Sequence, residues 1–385
     1  MIKRMCNPSK SQSFFLFGPR GAGKTTFLKW FFIDTEPLWI NLLDQKTEFN
    51  LAQNPDYLLD LWKKEKQKWI VIDEVQKIPR ILDVVHQGIE EHKIKFALTG
   101  SSSRKLKRGG ANLLAGRAAS FSLAPFSSLE LGDQFNLSKA LKFGLLPKLW
   151  NEKLDSKDMS RSLYSYVQTY LKEEVAAEQL VRNLDPFRRV LVSAAQSNSK
   201  IINYAKIERD AGVAHSQAER HFEILCDTLV GRYLEPHDHS IRKRQIKKSK
   251  FYFFDTGVVR ALRNLLEEDL DPGNFEFGDL FETFLINEFF KLNEALEKRW
   301  NFSYLRTKDD VEVDLIIEPP RGPMILIEIK SNKNIKPDDA SAFLKISKEF
   351  PNARKYVLSN SQDEFEHQNI RFLNWQVGLK EIFAV

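Results

Sequence analysis

The chain has 385 residues, 58 Lys and Arg against 52 Asp and Glu, a net charge of +6 and only two cysteines. Its length exceeds what one core organises and implies several domains, while Cys6 and Cys226 are too few and too far apart for a disulfide framework or a cysteine metal site. No apolar run is long enough to cross a bilayer and Met1 to Ser13 lacks the apolar segment of a signal peptide, so a cytoplasmic protein with no membrane partner is expected, its mild basic excess leaning toward polyanions.

Phe14 to Phe17 reads as a strand and Lys24 to Phe32 as a helix. Between them Gly18-Pro19-Arg20-Gly21-Ala22-Gly23-Lys24-Thr25 fits the phosphate-loop template G-x-x-x-x-G-K-[ST] at every fixed position. The glycines Gly18, Gly21 and Gly23 free the backbone to curl, so that N–H groups from Gly21 through Ala22 to Thr26 ring a phosphate at the positive end of the helix. Lys24 adds a point charge on the β- and γ-phosphates, and the Thr25 hydroxyl is an oxygen ligand suited to Mg²⁺. ATP and Mg²⁺ are therefore the expected cofactors.

Leu38 to Leu42 is a further strand and Tyr57 to Lys66 a helix. Trp69 to Asp73 is an apolar strand ending in two acids, Asp73 and Glu74, as a buried parallel strand delivers carboxylates to the sheet edge. Asp73 is expected in the Mg²⁺ shell, with Glu74 orienting the attacking water. A helix, Ile81 to His92, precedes the strand Lys95 to Thr99, whose Thr99 is placed to sense the γ-phosphate. Ala118 to Leu123 is the last strand of the series, and the alternation predicts a parallel sheet covered on both faces. The loop after Thr99 carries Arg104, Lys105, Lys107 and Arg108, either a polyanion contact or a solvated face. Arg117, with Arg20 as the second choice, is the candidate arginine acting on a neighbouring subunit's γ-phosphate; a structural ion pair is the alternative.

The phosphate loop, Ile72-Asp73-Glu74-Val75-Gln76-Lys77-Ile78-Pro79, Leu98-Thr99-Gly100-Ser101-Ser102 and Ala115-Gly116-Arg117 together resemble bacterial and archaeal AAA-type ATPases carrying a C-terminal nuclease-like domain. The resemblance implies an AAA+ core over residues 1–134 that works as a homo-oligomer, a hexameric ring among the forms open to it. It also implies a helical lid over 135–190.

Arg161 to Leu180 reads as an amphipathic helix with Leu163, Tyr166, Val167, Tyr170 and Leu171 on one face. Ile202 to Ala211 and Ser216 to Leu229, joined at Gly212-Val213, read as a helix-turn-helix, with Ser216 and Glu219 as a capping box. Arg232 to Glu235 and Lys250 to Asp255 then flank a basic tip of Arg242, Lys243, Arg244, Lys247 and Lys248, which makes 191–262 a winged helix. Its tip is suited to DNA without sequence readout, an interdomain role being the alternative.

Over 263–385 the order is helix from Phe277, strands Phe302 to Arg306, Val311 to Ile317 and Met324 to Lys330, helix Asp338 to Glu349 and strand Lys355 to Leu358. In Glu328-x-Lys330 the strand period sets both side chains on one face, within reach of Asp314 on the neighbouring strand. Glu282, Asp314 and Glu328 could hold Mg²⁺ while Lys330 acts on the attacking water. This αβββαβ order resembles the PD-(D/E)XK nuclease fold, whose core signature Asp314, Glu328 and Lys330 match and whose helical acid Glu282 matches; Val313 stands where the usual Pro would be. Arg306 and Lys308 are candidate phosphate contacts. The combined expectation is an ATP-hydrolysing protein acting on DNA. Its rivals are a nucleotide-gated signalling or defence switch and an ATPase whose C-terminal fold only docks a partner.

Overall fold

The structure, a computed structural model, describes the whole chain except residues 1, 102–113, 115, 152, 171–182, 238–247 and 310. It forms two compact units, one of residues 1–126, 146–151 and 227–230 and the other of the remainder.

In the first unit β1 (Ser13–Phe17), β2 (Leu38–Asn41), β3 (Trp69–Asp73), β4 (Lys95–Gly100) and β5 (Ala118–Ser122) make a parallel sheet in the order β2-β3-β4-β1-β5. Alternate residues feed opposite faces, because successive strand side chains point to opposite sides. Phe15, Ile70, Ile72, Phe96 and Leu98 join one core with Leu51, Leu58 and Ile81. Those helical residues come from α2 (Gln45–Gln53), α3 (Tyr57–Glu65) and α4 (Ile81–His92). Phe14, Leu16, Trp69, Val71 and Ala97 join a second core with Phe27, Leu28 and Phe31 of α1 (Lys24–Phe31). Both faces are thus covered, as a parallel sheet requires. The sequence pattern does not announce α2: only Leu51 of its nine residues is fully buried, so it has no apolar period to read.

The second unit begins with helical segments. Residues 127–134, expected in the ATPase core, fall in this unit, as do residues 135–145, 153–170 and 183–226, expected as lid and start of a winged helix. Thr256 Oγ1, for example, donates to Ala140 O at 2.6 Å, and Ser128 Oγ to Glu288 Oε2 at 2.6 Å. Part of the expected helix Arg161 to Leu180 is seen as Ser156–Thr169, and 171–182 lie outside the described residues. The helix pair is Tyr204–Ala211 and His215–Asp227, turned by Gly212 at φ 61°. Ser216 is not the cap. The Ala214 carbonyl accepts from Gln217 and Ala218 N–H, both at 3.0 Å, so the helix has already begun when the chain reaches Ser216.

The antiparallel hairpin β6 (Gly231–Pro236) and β7 (Lys250–Phe253) follows, and its tip, with Arg242, Lys243, Arg244 and Lys247, lies outside the described residues. It is continuous with the C-terminal strands. β6 pairs in parallel with β8 (Asn301–Arg306), Glu235 beside Ser303, which builds one eight-stranded sheet. The sheet continues through β9 (Glu312–Glu318), β10 (Ile325–Lys330) and β11 (Arg354–Ser359). It ends in an unexpected hairpin, β12 (Phe365–His367) and β13 (Ile370–Asn374), before a last helix, Trp375–Phe383. The expected helix Asp338 to Glu349 is broken into a 3-10 turn, the short helix Ser341–Ile346 and another 3-10 turn. The long helix Phe275–Ala295 contributes Phe277, Phe281, Phe284 and Phe289 to the unit's interior.

Candidate functional site

At the carboxyl ends of β1 and β3 the phosphate loop is held in place from several sides. Gly21 and Gly23 take φ 77° and 90°, conformations that side chains rarely adopt. A Cβ at Gly18 would meet the Leu123 carbonyl oxygen at 2.2 Å, so only glycine lets β1 and β5 approach there. Lys24 is buried, its Nζ donating to the carbonyls of Gly18 at 2.8 Å and Pro19 at 3.3 Å, so the loop closes around its own lysine. Ala22 is buried beneath the loop, and Thr26 stands exposed on the first turn of α1.

Thr25 and Asp73, 48 positions apart, meet directly: Thr25 Oγ1 donates to Asp73 Oδ2 at 2.7 Å. The buried Thr99 hydroxyl donates to the other oxygen, Asp73 Oδ1, and accepts from Glu74 N–H at 3.1 Å. A hydroxyl and a carboxylate aimed at one point are the hard oxygen donors that Mg²⁺ takes, so Thr25 and Asp73 fit the ion. Glu74 turns back in a left-handed conformation, φ 62°, and its Oε2 accepts from Gln76 Nε2, which also donates to Ser101 Oγ at 3.1 Å. Gly100 leaves room for Gln76: a Cβ there would lie 2.8 Å from Gln76 Oε1. Beside Gly23 and Thr26 a groove opens between Ile2, Arg4, Phe27, Trp30, Phe126 and Pro147. Arg4 ties its wall to the loop through Ala22 O at 3.0 Å and lies over the Phe126 ring. Arg117 is exposed and ion-paired with Glu90 of α4, whose carboxyl it holds below the usual range. The basic residues 104–108 lie outside the described residues.

In the second unit Glu282, Asp314, Glu328 and Lys330 come together. The antiparallel register of β9 and β10 sets Leu315 opposite Ile327, and its continuation brings Asp314 beside Glu328. Asp314 Oδ2 accepts from Ile329 N–H at 2.7 Å, and Lys330 Nζ lies 2.8 Å from Glu328 Oε1. Burial, together with the neighbouring Glu328 and Glu282 charges, pushes the Asp314 carboxyl well above its ordinary range. Burial likewise raises Glu328, with Lys330 opposing. Arg306 pairs with Glu312 Oε2 at 3.3 Å.

Three participants have no assignment from the sequence. Glu312 joins Glu282 and Asp314, with carboxylate oxygens all within 4.8 Å of one another. Lys250 Nζ lies 2.9 Å from Glu282 Oε1 and pairs with Glu312 Oε1, and Tyr252 OH donates to Glu282 Oε1 at 2.6 Å. The signal is present: Lys250 stands in an otherwise apolar strand, where a charge must find a partner. The acids alone fit a divalent cation, but with the Lys250 ammonium already among them the cluster as a whole does not.

A phosphate loop closed on its lysine, with a Thr–Asp pair beside it, stands at the edge of a parallel α/β sheet. Residues 10–132 match the family model of an AAA domain, which supports an AAA-type ATPase. Residues 134–269 and 277–377 each match a domain of unknown function. Uncharacterized proteins of Mycobacterium bovis and Mycobacterium tuberculosis are each 27% identical over 305 residues, which is 79% of this chain and 67% of each relative. A solved structure of the replication initiator DnaA bound to AMPPCP and single-stranded DNA has 13% identity and a TM-score of 0.30, over 55% of this chain and 81% of that one. Among the described residues no helix is long and apolar enough to cross a membrane.

Proposed function

We propose that the protein hydrolyses ATP at the Gly18–Thr25 loop and couples nucleotide state to binding or remodelling of DNA through its second unit. The observation that carries the reading is the Thr25–Asp73 hydrogen bond of 2.7 Å beside the buried Lys24. The loop N–H groups and Lys24 bind the phosphates, and the apolar walls of the groove from Ile2 to Phe126 suit a nucleobase. Thr25 and Asp73 would hold Mg²⁺, which when bound would neutralise charge on the phosphates. Glu74 orients the water for attack and takes up its proton, and Thr99 keeps Asp73 and the Glu74 backbone in register. Arg117, freed from Glu90, is the candidate for a neighbouring subunit's γ-phosphate within a homo-oligomer. DNA recognition is proposed for the helix pair and the hairpin whose tip carries Arg242 to Lys248.

The test is steady-state phosphate release at fixed salt and Mg²⁺, alone and with duplex, single-stranded or branched DNA, with Lys24→Ala as the blank. Glu74→Gln is expected to bind ATP and lose turnover by at least about a hundredfold, the scale of a positioned catalytic carboxylate. Stimulation by one DNA form, lost when the basic tip is neutralised, supports the DNA-coupled reading; indifference to every DNA removes it. The Gln76–Glu74 bond favours a second reading, a nucleotide-gated switch in which Gln76 restrains Glu74 and ATP is retained. A several-fold faster turnover in Gln76→Ala supports the switch. A slower one makes Gln76 an aid to Glu74 and disfavours it.

A further inference from the structure

The carboxylate cluster carries an inference that rests on reading the C-terminal fold as nuclease-like. Two observations divide the cluster. At one end Lys250, its side chain 3% exposed, sets its ammonium against Glu282 and Glu312. The Tyr304 ring lies 5.5 Å from Nζ and the Tyr252 hydroxyl shares Glu282 Oε1, so the lysine is fixed by two carboxylates and an aromatic face. At the other end Glu328, 7% exposed, keeps an oxygen, Oε2, without a hydrogen-bond partner among the described residues. That buried orphan belongs to the same group of acids and marks where a cation would be welcome. The oxygens a divalent ion would share, those of Glu282 and Glu312, already serve an ammonium.

We propose that Lys250 is the buried cation held between Glu282 and Glu312 and that it excludes a divalent metal ion from Glu282, Glu312 and Asp314. A dication brought to those oxygens would lie at contact distance from a fixed positive charge in a buried site, where such repulsion is poorly screened. Lys250 belongs to β7, within the matched segment 134–269, whereas the acids lie within 277–377. Metal competence of the C-terminal acids is therefore decided by a residue outside their own segment.

The experiment is a calorimetric titration of the nucleotide-free 385-residue chain with Mn²⁺, comparing the parent, Lys250→Met and Lys250→Met/Asp314→Asn. The parent is expected to lack Asp314-dependent binding, and Lys250→Met to gain one site at least tenfold tighter that Asp314→Asn abolishes. Because Lys250→Met leaves buried carboxylates uncompensated, Lys250→Met/Glu312→Gln, which removes one charge of each sign, is titrated alongside and is expected to gain the site too. Mn²⁺ should also raise the unfolding temperature of Lys250→Met and not that of the parent. Equal, Asp314-dependent binding by parent and Lys250→Met overturns the exclusion and leaves the metal reading standing. Absence of Asp314-dependent binding in every variant overturns both.

Discussion

His221 is buried edge-on against Phe187, ring centroids 5.1 Å apart, and burial with the neighbouring Arg220 pushes its imidazole down to about 4. In the unfolded chain the same ring takes its proton near pH 6.5, so between those values the unfolded state binds more protons. Stability is then complete above the unfolded value and falls as pH drops toward 4, by at most about 3 kcal/mol. Urea unfolding at about pH 7 and about pH 4.5 should show this slope in the parent and not in His221→Phe, which loses no bond at Nδ1 because that atom has no hydrogen-bond partner among the described residues. Residues in the phosphate loop are legible because their job is local: eight consecutive positions state the chemistry. Tyr252 and Gln76 are not, since each acquires meaning only from a partner that folding brings up, and Lys250 in its apolar strand announces only that its charge needs a partner, not which one. Glu312 is visible on its strand, but nothing in the local pattern says that Glu282 will lie against it.

Whole elements depend on single close approaches in the same way. Gly144, φ 76°, lets the chain turn against Asp255, whose Oδ2 accepts from Leu145 N–H at 2.6 Å and whose Oδ1 caps the helix Thr256–Arg263 through Val258 N–H at 3.1 Å. A Cβ there would fall 1.9 Å from Asp255 Oδ1. Gly144→Ala is expected to cost about 3 kcal/mol or more, since it combines a disfavoured backbone with a displaced buried carboxylate. Gly212→Ala, at φ 61° where an added Cβ meets nothing within 4 Å among the described residues, should cost only about 1 kcal/mol. Denaturant midpoints at unchanged slope distinguish the two. Four strands of the parallel sheet are readable from their apolar runs, whereas β5, Ala-Ala-Ser-Phe-Ser, shows only a weak one. The closing hairpin β12 and β13 is not, because its turn places Gln368 and Asn369 at φ 50° and 61° with no glycine to announce it. The helix after β10 reads as one piece because its apolar spacing survives the 3-10 breaks that interrupt it.

At the scale of the molecule, the alternation of strands and helices discloses the first unit, while the joining of the hairpin to the C-terminal strands in one eight-stranded sheet leaves no sign in the sequence. Its join rests on two register pairs, Glu235 with Ser303 and Pro236 with Tyr304, at a point where the β8–β9 ladder shifts register. A fragment of residues 277–385 loses this pairing and also the Lys250 charge that balances Glu282 and Glu312. It should lack a cooperative thermal transition and near-ultraviolet dichroism, whereas a fragment of 127–385 keeps both. The hairpin, which lies wholly within the first matched segment while its sheet partners lie in the second, also bears on inheritance. Segments of unknown function meet between residues 269 and 277, yet the sheet runs on across them without a seam. A chimera spliced at that point would join acids to a foreign hairpin, and a relative that exchanged its C-terminal part would have to carry β6 and β7 with it or evolve a new counter-charge. If Lys250 balances these acids, the two segments are expected to vary together among relatives.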